Sequence, residues 1–297
     1  MQVRIANAPA SWGIEDPEDA ANPAWSDVLD QVAGAGYEGV ELGPLGYLPT
    51  NASALRPELA RRGLDLVAGF LFTPLHTRES IAEALSSARR VCKLLAGGGA
   101  RYLVIIQGFT PDRETAAGRP ADAESLPDPD WRTMIEGVHA VAELASDHGL
   151  MACFHPHAGT AVEFDFEIEQ LILDTDPELV SICIDTGHCA YAGVDPVALY
   201  TEHSERVAYL HLKDVSRGRL GAALASGLSF EAAVAHGVFC PLGQGVVDFL
   251  SLRAALAEGG FAGWATVEQD TLPTDSAAPG DDAAASLTHL RQVGLAA

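Results

Sequence analysis

Basic residues are scarce in this sequence. Its 297 residues carry 18 lysines and arginines against 41 aspartates and glutamates, a formal net charge of −23. A surface so acidic repels polyanions, which excludes nucleic acid and an anionic membrane as natural partners and favours a small neutral molecule. No Gly-x-Gly-x-x-Gly or Walker-type loop occurs, so a dinucleotide or phosphorylated substrate would lack its usual backbone cradle. The N-terminal MQVRIANAPASWG has no long apolar core of the signal-peptide kind, and no run approaches the ~18 apolar residues of a membrane span. A cytoplasmic location is the default expectation. Cysteine is sparse as well: Cys92, Cys153, Cys183, Cys189 and Cys240 are odd in number and never spaced C-x-x-C. They read as free, mostly buried thiols rather than as a disulfide or zinc framework.

What the sequence does have is alternation. Apolar residues make up 48% of the chain, enough for one large core. Short apolar runs at 3–8, 38–42, 64–71, 101–107, 150–155, 180–185, 206–212 and 264–268 read as strands buried on both faces. Helical patterns lie between and after them at 24–35, 52–62, 78–96, 130–148, 165–174, 195–203, 247–258 and 281–294. Gly36, Gly63, Gly149 and Gly259 stand where helices should stop before the next strand. Eight such units predict a single (β/α)8 TIM barrel over residues 1–297, with an open doubly wound sheet as the alternative. Two connections exceed what the scaffold needs: 108–129 after the fourth strand, and 213–246 after the seventh, with a short helix near 229–236. Both would fall on the catalytic face as candidate lids. The Pro- and Ala-rich stretch 272–284 reads as a loop entering the last helix.

Ionisable residues cluster at the C-terminal ends of strands that otherwise contain almost none. They are Glu41, His155, His157, Asp185, His188, His211, Lys213 and Glu268. Burying a carboxylate costs several kcal/mol unless it is paired or holds a metal, so a ring of them at one barrel mouth calls for a shared cation. Asp185, His211 and Glu268 end three successive strands and can converge on one point. Carboxylates and imidazole without thiolate suit Mn²⁺ or Co²⁺ first, with Mg²⁺, Fe²⁺ and Zn²⁺ also compatible.

Each residue also has a plainer reading. Asp185 could cap the helix that follows it. His155 and His157 alternate, so both reach the mouth only if the chain bends there. Lys213 could pair with Asp214, and Glu41 could anchor structure instead of touching substrate. Trp12 and Tyr47, in the first two strand-to-helix loops, offer an aromatic wall for a sugar ring or simply close the barrel rim. His76, His139, His148, His203, His236 and His289 lie on helical patterns without clustering and read as ordinary residues.

The segments NAPASWG (7–13), ELGPLGYLP (41–49), FHPHAGTAVE (154–163), DTGH (185–188), HLKDV (211–215) and WATVEQD (264–270) resemble the inosose dehydratase branch of the xylose-isomerase-like barrel superfamily. The resemblance runs nearly end to end. It implies one divalent metal ion held by Glu163, Asp185, His211 and Glu268. Glu163 is the odd member, because His155 holds the strand-five end and the glutamate follows eight residues later; a fold-back of Glu163 and a histidine in its place both remain open.

The activity implied is a metal-dependent hydro-lyase that enolises and dehydrates a cyclic polyhydroxylated ketone, inosose, in inositol catabolism. Lys213, His155, His157 and Glu268 would share the acid and base roles, and His188 and Gln107 would bind hydroxyls or only brace their loops. The same enolising site could instead epimerise or isomerise a ketose, or eliminate from a 3-keto-glycoside. A sugar-binding barrel without chemistry is the non-enzymatic alternative. The expected partner is a small polyol ketone or keto-sugar, and a homo-oligomer stays open.

Overall fold

A computed structural model describes residues 2–272 and 278–297. Strand β1 (Gln2–Asn7) leads through a 3-10 turn (Pro9–Trp12) to α1 (Trp25–Ala35), and β2 (Gly39–Val40) to α2 (Ala52–Ala60). The third barrel strand is split into β3 (Asp65–Leu66) and β4 (Ala68–Thr73) and precedes α3 (Arg78–Gly98). Then come β5 (Tyr102–Gln107), α4 (Pro111–Thr115), α5 (Asp128–Asp147), β6 (Met151–Phe154), α6 (Asp165–Asp174), β7 (Val180–Asp185), α7 (Thr186–Ala192) and α8 (Pro196–His203). The chain closes with β8 (Val207–Leu212), β9 (Asp214–Val215), α9 (Arg217–Ala225), α10 (Phe230–Ala235), β10 (Phe239–Cys240), α11 (Phe249–Glu258), β11 (Ala262–Val267) and α12 (Pro279–Val293). Of the loop expected at 272–284, residues 273–277 lie outside the described residues, and α12 begins within the remainder.

The main sheet runs β3-β2-β1-β11-β8-β7-β6-β5-β4, and its pairings are parallel. Its two ends are halves of one strand, and Val67 joins them. The Val67 N–H donates to Val40 O at 3.0 Å, while its carbonyl accepts Arg101 N–H at 3.0 Å. The sheet is therefore an eight-stranded barrel, and the open doubly wound alternative fails because no edge is left unpaired at that seam.

Period-two alternation sorts each strand into a barrel-facing and a helix-facing set. Tyr102, Val104, Ile106, Cys153, Cys183, Tyr209 and Trp264 belong to one buried cluster that fills the barrel, with the Tyr102 and Tyr209 rings stacked at 4.6 Å. One step further along the same faces come His155, Asp185, His211 and Thr266, followed by Lys213 and Glu268. The apolar plug thus forms the floor on which the ionic mouth stands. Helices pack around the outside through the largest core cluster. Their ends carry ordinary stops and starts, such as the Thr77–Ser80 capping box of α3 and the left-handed Gly36 after α1.

The two long connections hold more structure than the sequence suggested. The first contains α4, and the second holds α9, α10 and an antiparallel β9–β10 pair. They pack on each other. Glu231 N–H donates to Glu114 Oε1 at 2.9 Å, Arg119 donates to Leu228 O at 3.1 Å, and the Phe109 and Phe230 rings lie 5.8 Å apart. With Ala158 and Tyr191 they build a separate small core, a roof over the ends of β5 to β8.

Candidate active site

Register brings the strand-end groups together. Asp185 on β7 pairs with His211 on β8, and His211 pairs with Thr266 on β11, so Glu268 stands two residues beyond that level. Asp185 caps the helix that follows it, as one reading of the sequence allowed, and points its other oxygen to the mouth. Its Oδ1 caps α7, accepting Gly187 N–H at 2.7 Å and His188 N–H at 2.9 Å. Its Oδ2 faces the mouth, 3.3 Å from His155 Nε2, 3.4 Å from Lys213 Nζ and 3.8 Å from His211 Nδ1. Burial would raise this carboxyl, but Lys213 and the hydrogen bond to His155 outweigh it and hold it well below the carboxylate range.

His211 is clamped from behind. Its Nε2 lies 2.9 Å from Glu41 Oε1, which also accepts the Tyr209 hydroxyl at 2.6 Å. Its Nδ1 comes within 3.0 Å of Glu268 Oε2 without hydrogen-bonding geometry, so this buried nitrogen has no hydrogen-bond partner among the described residues. Burial opposes charge on the ring, yet Glu268 and Glu41 raise it well above the ordinary histidine range. Glu268 is driven the other way, to about 2, by His211 and Lys213 against its burial.

Lys213 is almost fully buried, with Nζ 2.8 Å from Asp270 Oδ1, 3.1 Å from His188 Nε2 and 3.4 Å from Glu268 Oε2. Burial disfavours its charge, but Asp185, Asp270 and Glu268 together raise its pKa. Thr186 holds the backbone in place, its hydroxyl donating to Lys213 O at 2.7 Å and accepting Lys213 N–H at 2.9 Å. Gly187 makes the close approach possible, because a Cβ there would sit 2.6 Å from the lysine stem.

Both strand-five histidines reach the mouth, because β6 ends at Phe154 and the chain turns immediately. His157 N–H donates to Val162 O at 3.0 Å. The His157 ring lies tilted against His188, centroids 3.7 Å apart, and contacts Phe72, Phe109 and Phe230. The Ala158 peptide fixes the His157 tautomer. Its carbonyl accepts His157 Nδ1–H at 2.8 Å, and its N–H lies 3.3 Å from His188 Nδ1. Burial pushes both rings well below the ordinary histidine pKa, helped by His155 and Lys213 at His157 and by His157 and Lys213 at His188, so both are neutral.

Four expected site residues sit elsewhere. Gln107 faces outward because Tyr102, Val104 and Ile106 take the inward positions of β5. It accepts Leu75 N–H at 2.9 Å and bonds His76 at 3.0 Å, bracing the loop after β4. Trp12 is buried in the outer core and donates to Gln31 at 2.9 Å, and the Tyr47 hydroxyl donates to Pro23 O at 2.9 Å; both build the rim rather than an open wall. Glu163 is bound to Gly118 N–H at 2.6 Å and faces Arg113 at 3.5 Å, and it joins neither mouth cluster.

Those clusters are His155, Asp185 and His188, and Glu41, His211 and Glu268, each with ligand atoms within 4.8 Å of one another. A third such group, Glu169, Glu202 and His203, lies on the helical exterior, where His203 pairs with Glu169 at 2.6 Å. Two mouth residues went unassigned in the sequence. Asp270 follows Glu268 by two positions, the same spacing that picks Lys213 after His211. Glu15 gave no such signal: it projects from the loop beyond the 3-10 turn. Its side chain is exposed to water, and its charged neighbours are Asp270, Glu268 and Lys213.

A closed parallel barrel whose strand ends carry carboxylates, imidazoles and a buried lysine defines a class of enzymes that work at the barrel mouth. The chain belongs to the xylose isomerase-like TIM barrel family, which it matches over residues 29–293. It is 33% identical over 273 residues to a protein of Geobacillus kaustophilus named inosose dehydratase, covering 91% of this chain and 88% of that one. It is 34% identical over 278 residues to the rhizopine catabolism protein MocC of Rhizobium meliloti, covering 93% and 84%. Among solved structures, the IOLI protein with a bound zinc atom aligns with a TM-score of 0.76 over 98% of this chain and 97% of that one; at 13% identity it shows the fold alone. The dehydratase relatives and the ionic mouth together make the chain an enzyme rather than a barrel stripped of its chemistry. Among the described residues, no helix is long and apolar enough to cross a membrane.

Proposed function

We propose that this enzyme is a divalent-metal-dependent hydro-lyase that removes water from a cyclic polyhydroxylated ketone, with inosose the substrate to test first. The relative named inosose dehydratase supports the substrate class. The observation that carries the metal is the orphaned His211 Nδ1, which Glu41 behind the ring turns toward Asp185 and Glu268, where a cation would take the place of its proton. His155 Nε2, Asp185 Oδ2, His211 Nδ1 and Glu268 Oε2 would hold the ion, with His155 taking the place that the resemblance gave to Glu163. This nitrogen and oxygen set, without thiolate, suits Mn²⁺ or Co²⁺, and Mg²⁺, Fe²⁺ or Zn²⁺ would also fit. When bound there, such an ion polarises a ketone oxygen and acidifies the neighbouring C–H.

The chain's own residues supply the proton steps. His157 spends its Nδ1–H on Ala158, so Nε2 carries a lone pair and can take the proton from the carbon next to the ketone. Lys213, kept charged by Asp185, Asp270 and Glu268, can give a proton to the departing β-hydroxyl. The products are water and an enol, which tautomerises to a diketone. His188 and Asp270 orient Lys213, and the roof residues Phe109 and Phe230 confine His157 and limit water beside it.

The test is turnover of inosose by metal-loaded and chelator-treated protein, with product analysis alongside ketohexoses and a 3-keto-glucoside. Metal-dependent diketone formation from inosose is expected. Turnover of ketohexoses alone, or a wild type that neither binds nor needs metal, defeats the reading.

A further inference from the structure

Glu163 sits buried where two segments meet. Its Oε1 accepts Gly118 N–H at 2.6 Å, and its Oε2 lies 3.5 Å from Arg113, which forks onto Glu167 at 2.7 and 2.9 Å. Glu167 Oε2 in turn accepts the N–H groups of Glu163 at 2.9 Å and Phe164 at 3.1 Å. Arg113 and Gly118 belong to the roof segment after β5, whereas Glu163 and Glu167 belong to the arm after β6. Arg113, Glu163 and Glu167 are each about 2% exposed. Removing one partner would strand charge in an apolar surrounding, so the two segments are held as one body.

The same arm carries His157. Its N–H is bonded to Val162 O, and Thr160 Oγ1 donates to His157 O at 2.9 Å, closing a turn that ends beside Glu163. The other end of the tie is equally constrained: Gly118 has φ +71, and a Cβ there would meet Leu224 at 2.6 Å and Tyr191 at 2.9 Å. We propose that Glu163 is a positioning residue that ties the arm to Gly118 and Arg113, fixes the direction of the His157 Nε2 lone pair, and takes no place among the metal ligands. It rests on the functional reading above only for the use made of that lone pair.

Glu163→Gln and Glu163→Ala are to be compared with Asp185→Asn in the full chain. The readouts are Mn²⁺ stoichiometry and affinity, hydrogen exchange at the Gly118 amide, and the His157 ring ¹⁵N shifts that report which nitrogen is protonated. Both Glu163 variants should bind Mn²⁺ within about threefold of wild type, while Asp185→Asn loses about a hundredfold. In Glu163→Ala, Gly118 exchange should rise at least about tenfold and His157 should become a tautomer mixture. The same variant should lose about 10- to 100-fold in kcat on inosose at nearly constant KM. Glu163→Gln keeps an oxygen toward Gly118 and should restore the single tautomer. Loss of Mn²⁺ in Glu163→Gln, or an unchanged His157 tautomer in Glu163→Ala, overturns the proposal. A wild type inert toward inosose defeats the dehydratase reading instead and leaves the exchange and tautomer readouts to decide on Glu163.

Discussion

His211 Nε2 meets Glu41 Oε1 at 2.9 Å, and this contact decides which ring nitrogen faces the mouth. A carboxylate behind a histidine fixes its tautomer and raises its basicity as a ligand. Glu41→Gln keeps an oxygen for the Tyr209 hydroxyl but removes the charge that orients His211. Mn²⁺ affinity should fall about 10- to 100-fold with little loss of thermal stability. A metal titration of the variant by calorimetry checks this, and an unchanged affinity would return Glu41 to the role of a passive anchor.

Asp185 caps α7 with one oxygen and turns the other to the mouth, so substitution can separate the cap from the proposed ligand role. Asp185→Asn retains a carbonyl oxygen for the N–H groups of Gly187 and His188. Helix α7 then stays capped, and stability should change by less than about 1 kcal/mol. Asp185→Ala loses that cap and should cost about 1 kcal/mol more. Both variants should lose metal-dependent activity. Denaturant titration beside metal analysis distinguishes the cap from the ligand role.

The barrel and most of its mouth were legible because two simple periods govern them. Alternating apolar runs and helical stripes gave the eight units, and the two-residue spacing carried past the ends of β8 and β11 put His211 with Lys213 and Glu268 with Asp270 on one face. The same rule, carried through β5, would have turned Gln107 outward. Legibility ends where the chain leaves the strands. The bend after Phe154 lets His155 and His157 share the mouth, and the partners of Glu163 come from a segment some 45 residues earlier in the chain. Trp12 and Tyr47 show the same limit: their loops are evident, but whether an aromatic ring walls a site or plugs the rim depends on tertiary neighbours.

Glu163 also predicts a pH signature. Burial pushes its carboxyl from the ordinary 4.5 up to about 7, with Gly118, Gly159 and Arg113 opposing only in part. The folded protein therefore holds this proton more tightly than the unfolded chain. The associated stability is complete below about pH 4.5 and is lost as pH rises through about 7, by at most about 3 kcal/mol. Glu163→Gln cannot titrate, so its stability relative to wild type should improve between pH 5 and pH 8. Urea unfolding of both proteins at the two pH values measures the difference, and parallel losses would show that Glu163 titrates normally.

Asp214 gives the opposite lesson about isosteric substitution. It is fully buried beside Lys213, and both of its oxygens are used: Oδ1 accepts Val215 N–H at 2.9 Å and Val247 N–H at 3.0 Å, while Oδ2 accepts Gly243 and Gly245 N–H, each at 2.9 Å. The loop 241–247 is thereby wrapped around one carboxylate, with Gly245 so near that a Cβ would lie 2.2 Å from Oδ1. An asparagine offers a single acceptor oxygen and would turn its NH₂ toward two further N–H donors. Asp214→Asn should therefore cost about as much as Asp214→Ala, on the order of 4 kcal/mol, because buried N–H groups lose a charged acceptor in either case. Because β9 and the Lys213 backbone adjoin this loop, activity should fall in step with stability while Mn²⁺ still binds the folded fraction. Thermal unfolding of the two variants decides the matter: an asparagine form close to wild type in melting temperature would mean that the carboxylate charge is not what holds the loop.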